Sequence, residues 1–112
     1  MKIFKKIIIV LSLLYTSSVC GFADTMKDLE IAQEIMEISS CGNSCTADEL
    51  ENMENLVSNL TDKNLALVWT ANIVQFSLST QPMQCDIAKR NIPRLDQTLK
   101  PMWETNYNLF GC

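Results

Sequence analysis

Thr46-Ala47-Asp48-Glu49-Leu50-Glu51-Asn52-Met53-Glu54-Asn55-Leu56-Val57-Ser58-Asn59-Leu60 reads as an amphipathic helix from end to end. Thr46 followed three residues later by Glu49 is a capping box, in which the hydroxyl takes the Glu49 amide and the carboxylate reaches back to the Thr46 amide. Asp48 and Glu49 place negative charge in the first turn, where the helix dipole favours it. Leu50, Met53, Leu56, Val57 and Leu60 recur at three- and four-residue spacing and so share one face. Such a stripe must be covered by other elements, so the flanking segments set the architecture.

Upstream, residues 25–38 predict a second helix, with Thr25 and Asp28 as a variant capping box. Met26, Leu29, Ala32, Ile35, Met36 and Ile38 supply its apolar stripe, and Glu30, Glu34 and Glu37 its solvated side. Ser39-Ser40-Cys41-Gly42-Asn43-Ser44 interrupts the pattern with turn formers. Downstream of Thr61-Asp62-Lys63-Asn64, residues 65–78 carry no charge. That run is shorter than the ~20 residues a bilayer span needs, so it predicts a central helix covered on most sides. Ser79-Thr80-Gln81-Pro82 is a break, with Pro82 opening a short helix that Pro93 ends. Pro93 in turn starts a last segment in which Leu95, Leu99, Met102, Trp103 and Phe110 share a face, Pro101 kinks or splits it, and Gly111 stops it. Only three glycines and three prolines occur in the chain, too few for a β-rich fold with many turns. The expectation is an all-α protein, a small four- to five-helix bundle stapled by disulfides.

The bundle follows a leader. Three lysines lie within Met1-Lys2-Ile3-Phe4-Lys5-Lys6, and nine uncharged residues, Ile7 to Tyr15, come next. This is the order of a secretory signal peptide. Small residues at Gly21 and Ala23 place the cut after Ala23, with Cys20 as the alternative site. The expected organisation is therefore a signal peptide over residues 1–23 and one helical domain over residues 24–112, destined for the periplasm or the extracellular space.

Cleavage takes one of the five cysteines with it and leaves Cys41, Cys45, Cys85 and Cys112, an even set that reads as a disulfide framework. Two bridges closing long loops each add on the order of 2–4 kcal/mol to a domain whose core is small. If neighbouring helices are antiparallel, all four cysteines gather at one end of the bundle. Loop entropy then favours Cys41 and Cys45 each pairing with one of Cys85 and Cys112, and a local Cys41–Cys45 bridge comes second. The three-residue gap between Cys41 and Cys45, with no strands nearby, does not match a thioredoxin-type redox pair.

All thirteen acids lie after the leader, against six of the nine bases, so the domain carries −7. Residues 24–62 hold ten acids and one lysine, whereas residues 63–112 hold three acids and five bases. An acidic body lacks the basic footprint that nucleic acid and anionic membrane require. The chain has no histidine, which removes the histidine-based nucleophilic and acid–base mechanisms and most catalytic zinc sites. It has no glycine-rich phosphate loop and no calcium loop. Glu49, Glu51 and Glu54 are carboxylates of the type a glycosidase uses, but on a surface helix they read as a solvated face. No catalytic residue, metal or cofactor is expected.

Recognition falls to the C-terminal part. Trp103, Tyr107 and Phe110, with Arg90 and Arg94, form the candidate binding surface, and Lys89 and Lys100 lie beside it. The expected function is a small exported, non-enzymatic factor that binds another exported or envelope protein, as an inhibitor, immunity-type factor, chaperone or assembly accessory. One alternative is a carrier of a small apolar ligand in the core, since the uncharged helix and the methionines offer adaptable walls. Another is a secreted peptide precursor, because Lys89-Arg90 is a dibasic pair.

The spacing of Cys45, Cys85 and Cys112 resembles that of secretoglobin-like chains, whose helical domain also ends in a terminal cysteine. The acidic helix before Cys41, and Cys41 itself, depart from that pattern. Insect odorant-binding proteins are similar in having a close cysteine pair with a third after a long gap, but they carry more cysteines in a longer chain. Neither resemblance implies a function here.

Overall fold

The computed structural model describes residues 22–112, with side chains from Asp24 onward. The expected leader and both cleavage sites lie outside the described residues, apart from the backbone of the first two residues of the first helix. The described residues form five α-helices: α1 (Phe22–Ile38), α2 (Ala47–Ser58), α3 (Lys63–Ser79), α4 (Cys85–Asn91) and α5 (Lys100–Leu109). Two 3-10 segments, Ser39–Ser44 and Ile92–Arg94, make the tight connections. No strand occurs among the described residues.

The capping box of α2 forms in full: the Glu49 amide donates to Thr46 Oγ1 at 3.1 Å, and the Thr46 amide donates to Glu49 Oε1 at 2.9 Å. Leu50 and Met53 are fully buried, and Leu56, Val57 and Leu60 pack against the same core. The box expected at Thr25 and Asp28 does not form, because α1 begins at Phe22 and already runs helical through Thr25. The buried face of α1 also differs from the expected stripe. Ile31 and Ile35 are inside, Ile38 packs on them, and Met26 and Met36 are exposed. The rotation follows from Asp28, which lies on the Ile31–Ile35 side and is itself buried.

Asp28 is tied to the start of α3. Its carboxylate accepts from the Thr61 amide at 2.9 Å, the Thr61 hydroxyl at 2.8 Å and the Asp62 amide at 2.8 Å. Asp62 in turn caps α3, accepting from the Asn64 and Leu65 amides at 2.9 and 3.2 Å. One carboxylate thus holds the turn and the next caps the helix, satisfying donors the helix cannot satisfy itself.

α3, uncharged after Lys63, packs on α2, α4 and both 3-10 segments. Its buried Thr70 and Ser77 donate their hydroxyls back to the carbonyls of Ala66 and Ile73, which lets polar residues sit on the covered face. The α3–α4 pair separates two apolar clusters. Ile73 and Ile87 join Ile31, Ile35, Cys45, Leu50 and Met53 on one side. Val74, Leu78 and Ala88 join Ile92 and Leu95 on the other, where Trp103 and Tyr107 of α5 cover them.

Pro82 does not open α4 as expected, whereas Pro93 ends it as expected but opens no helix of its own. Pro82 lies in the turn before α4, after a cis peptide bond to Gln81, and α4 begins three residues later. Pro93 ends α4 by forming a 3-10 turn instead of opening a long helix. Pro101 produces no kink because it lies in the first turn of α5, where its missing N–H leaves no hydrogen bond unmade.

The disulfide pairing corrects the loop-entropy expectation: Cys41 pairs with Cys45, and Cys85 with Cys112. Local backbone geometry overrides loop length. Gly42 adopts φ +56°, a region open to glycine, and folds the turn until the Cys41 and Cys45 Cα atoms are 4.9 Å apart. At the other end, Gly111 with φ +97° reverses the chain after α5. The Gly111 amide donates to the Asn108 carbonyl and the Cys112 amide to the Tyr107 carbonyl, both at 3.2 Å, which is a Schellman motif. That motif brings the Cys112 Cα to 5.7 Å from that of Cys85.

Candidate functional site

Two surface regions converge on α4, one polar and one apolar. The polar region centres on Glu54, on the third turn of α2. Arg90 grips this carboxylate with Nε at 2.9 Å and Nη2 at 2.5 Å, and Asn91 Nδ2 donates to it at 2.6 Å. Arg94 approaches to 3.7 Å, and Glu51 lies 3.6 Å from Arg90. Arg94 follows Asn91 by three residues and Arg90 by four, and the long Arg90 side chain reaches from the exposed side to the acid that buried Asn91 faces.

The Glu54 side chain is only 9% exposed, so it departs from the solvated face expected of it. Burial raises its pKa, but the hydrogen bonds from Arg90 and Asn91 and the two guanidinium charges outweigh that and hold it below the ordinary value. Its hydrogen bond lifts Arg90 correspondingly. At Asp28 burial also pushes the carboxyl up, and the bonds from Thr61 and Asp62, aided by Lys27, bring it below its ordinary value. The three bonds that Glu54 accepts from Arg90 and Asn91 tie α2 to α4. Beside it lies a cleft of about 380 Å³ between α2 and α3, with apolar walls from Val57, Leu60 and Leu67 and Arg94 at its edge.

The apolar region is α5. Trp103 and Tyr107 are half-buried and sit on the second core cluster. On one flank of them Met102 is 48%, Leu109 74% and Phe110 47% exposed. Residues 102 and 109 are seven apart and share one face of the helix as a ridge, and Phe110 stands at its C-terminal end, about 100° round the axis. On the other flank a second cleft, about 310 Å³, has Ile92, Pro93 and Tyr107 in its wall with Lys89, Lys100 and Glu104 around it.

The five residues of the expected surface are therefore divided. Trp103 and Tyr107 are core-facing anchors of α5, Phe110 is exposed at its end, and Arg90 and Arg94 belong to the Glu54 cluster. Sequence reasoning did not reach Met102 and Leu109 as exposed ridge residues, Lys89 and Lys100 as two sides of one cleft, or Glu54 as a hub. The amphipathic width of α5 carried part of that signal, since its apolar arc exceeds what Trp103 and Tyr107 need to cover the core. The dibasic Lys89-Arg90 lies inside α4, with Arg90 held by Glu54.

Among the described residues, no group of cysteine, aspartate and glutamate side chains is arranged to hold a metal ion. No helix there is long and apolar enough to cross a membrane. No known protein family matches the chain, and no characterised protein or solved structure is significantly similar to it.

Proposed function

We propose that this protein is a small exported, non-enzymatic factor that acts by contact with another exported or envelope protein, through the C-terminal helix α5. The exposed ridge of Met102, Leu109 and Phe110 carries this reading. Three large apolar side chains exposed on one short helix are the kind of surface that a protein partner covers. The ridge also stands on a rigid support. Trp103 and Tyr107 anchor α5 to the core, and the Cys85–Cys112 bridge fastens its end, so little ordering entropy is lost on binding. Two disulfides favour an oxidising compartment, which supports export. The inhibitor, immunity-type, chaperone and accessory roles all use such a surface.

A photoreactive amino acid at position 109, with one at position 34 on α1 as control, tests the proposal in the natural host. The expected result is one discrete cross-linked protein from position 109, lost when Phe110→Ser is added and absent from position 34. Equal labelling from both positions, or none from either, defeats it.

A further inference from the structure

We infer that the cleft between α4 and α5 receives an acidic peptide segment of the partner, with one large apolar side chain lodged between Lys89 and Lys100. The inference rests on the protein-binding reading above and names the chemistry of what is bound. The domain is acidic overall, yet five cations lie in its C-terminal half. Arg90 and Arg94 are committed to Glu54. Lys89 and Lys100 come from different helices, line the same cleft, and make no ion pair among the described residues. Glu104 is the one acid lining that cleft, so the two lysines leave it net positive.

The cleft itself is apolar. Ile92 is buried at its base, Pro93 and Tyr107 add ring surface, and lysine methylene stems extend apolar walls while the ammonium groups stay in water. Its volume, about 310 Å³, is at the small end for recognition sites and suits a single aromatic or branched side chain. Two ammonium groups flanking an apolar socket match a peptide whose apolar residue lies between carboxylates. Lysine, lacking the planar fork of arginine, acts there as a point charge and so favours charge over exact geometry. The acidic N-terminal half repels the same peptide elsewhere, which confines it to this face.

The test uses the oxidised full domain and a fluorescent capped heptapeptide with one central phenylalanine between two pairs of acidic residues. Controls replace the acids by lysines, or the phenylalanine by glycine. Saturable binding of the acidic phenylalanine peptide is expected, weakening with added salt, with both controls roughly tenfold weaker or worse. The Lys89→Glu, Lys100→Glu double variant, which changes one exposed and one half-buried residue outside the core, is expected to lose roughly tenfold in affinity with an unchanged circular dichroism spectrum. Equal binding of the basic peptide, unchanged affinity in the double variant, or no saturation into the millimolar range overturns the inference. Cross-linking from position 109 separates the two readings: a captured partner with a silent peptide removes the cleft inference alone, whereas a bound peptide with no partner at position 109 removes the ridge reading alone.

Discussion

Replacing Glu54 by glutamine removes one charge and keeps the side chain's shape, and the result depends on pH in a way only a buried, fully paired carboxylate allows. In the folded chain Glu54 takes two bonds from Arg90 and one from Asn91, with Arg94 nearby. Glutamine keeps one acceptor and turns an amide donor against the donors of Arg90 and Asn91. Bonds to a charged group contribute about 1.5–3 kcal/mol each, and truncating a buried pair costs about 3–5 kcal/mol. Arg90 is partly exposed, with a side-chain exposure of 43%, so solvent recovers part of the loss. The expected cost at pH 7 is about 2 kcal/mol, read from the urea midpoint at unchanged slope. The folded pKa of Glu54 lies below its ordinary 4.5, so its contribution is complete above that value and is lost as pH falls through the folded pKa. Once the carboxyl is protonated in the folded state it resembles glutamine. The gap between wild type and Glu54→Gln should therefore narrow below pH 4.5 and then close. Asp28 titrates alike in both proteins and cancels from the difference. A gap that stays constant from pH 7 to the acid limit, or one below about 0.5 kcal/mol at pH 7, refutes the hub.

Asp28→Ala is expected to cost about 2 kcal/mol, because three bonds to one buried carboxylate are lost, and hydrogen exchange should show the first turn of α3 opening first. Peptide mapping under non-reducing conditions should recover Cys85 joined to Cys112, with Cys41 and Cys45 joined within one short segment; a peptide joining Cys41 or Cys45 to Cys85 or Cys112 contradicts the fold. Replacing Cys85 and Cys112 by alanine opens a 27-residue loop, for which chain entropy gives about 3.5 kcal/mol in the thermal or urea transition. Met102→Asp should leave stability within about 0.5 kcal/mol while abolishing capture of the partner by a photoreactive residue at position 109, since the Met102 side chain is 48% exposed and outside the core.

The helices were legible because each rests on local information. The α2 stripe and its Thr46–Glu49 box are written within one segment, and they form as read. The uncharged run of α3 likewise announces an element that packs on several others, although Val68 stays 58% exposed, and the breaks at Gly42 and Gly111 fall where the chain turns. What remained illegible depends on contacts across the sequence. The stripe on α1 was misread by treating Asp28 as a helix cap, when its partners lie 33 and 34 residues away. Glu54 was read as solvated because Arg90 and Asn91 are 36 and 37 residues distant. The cysteine pairing failed for a different reason. Loop entropy ranks pairings of an unfolded chain, whereas the native pairing is fixed by two glycines at positive φ that bring specific Cα atoms within bonding range.

These ties share one logic. A domain of this size buries too little apolar surface to fix the relative placement of five short helices by packing alone. Apolar contacts are non-directional and tolerate sliding. Directional links supply the missing register: Asp28 pins α1 to the α3 cap, Glu54 pins α2 to α4, the Thr80 hydroxyl donates to the buried Cys45 carbonyl, and Cys112 pins α5 to Cys85. Each joins a different pair of elements, and three of the four are polar groups that a hydropathy profile assigns to solvent. The excess of acids in the N-terminal half is therefore not only a solubilising surface, because two of them are internal struts whose removal should loosen the register of the helices before it exposes the core.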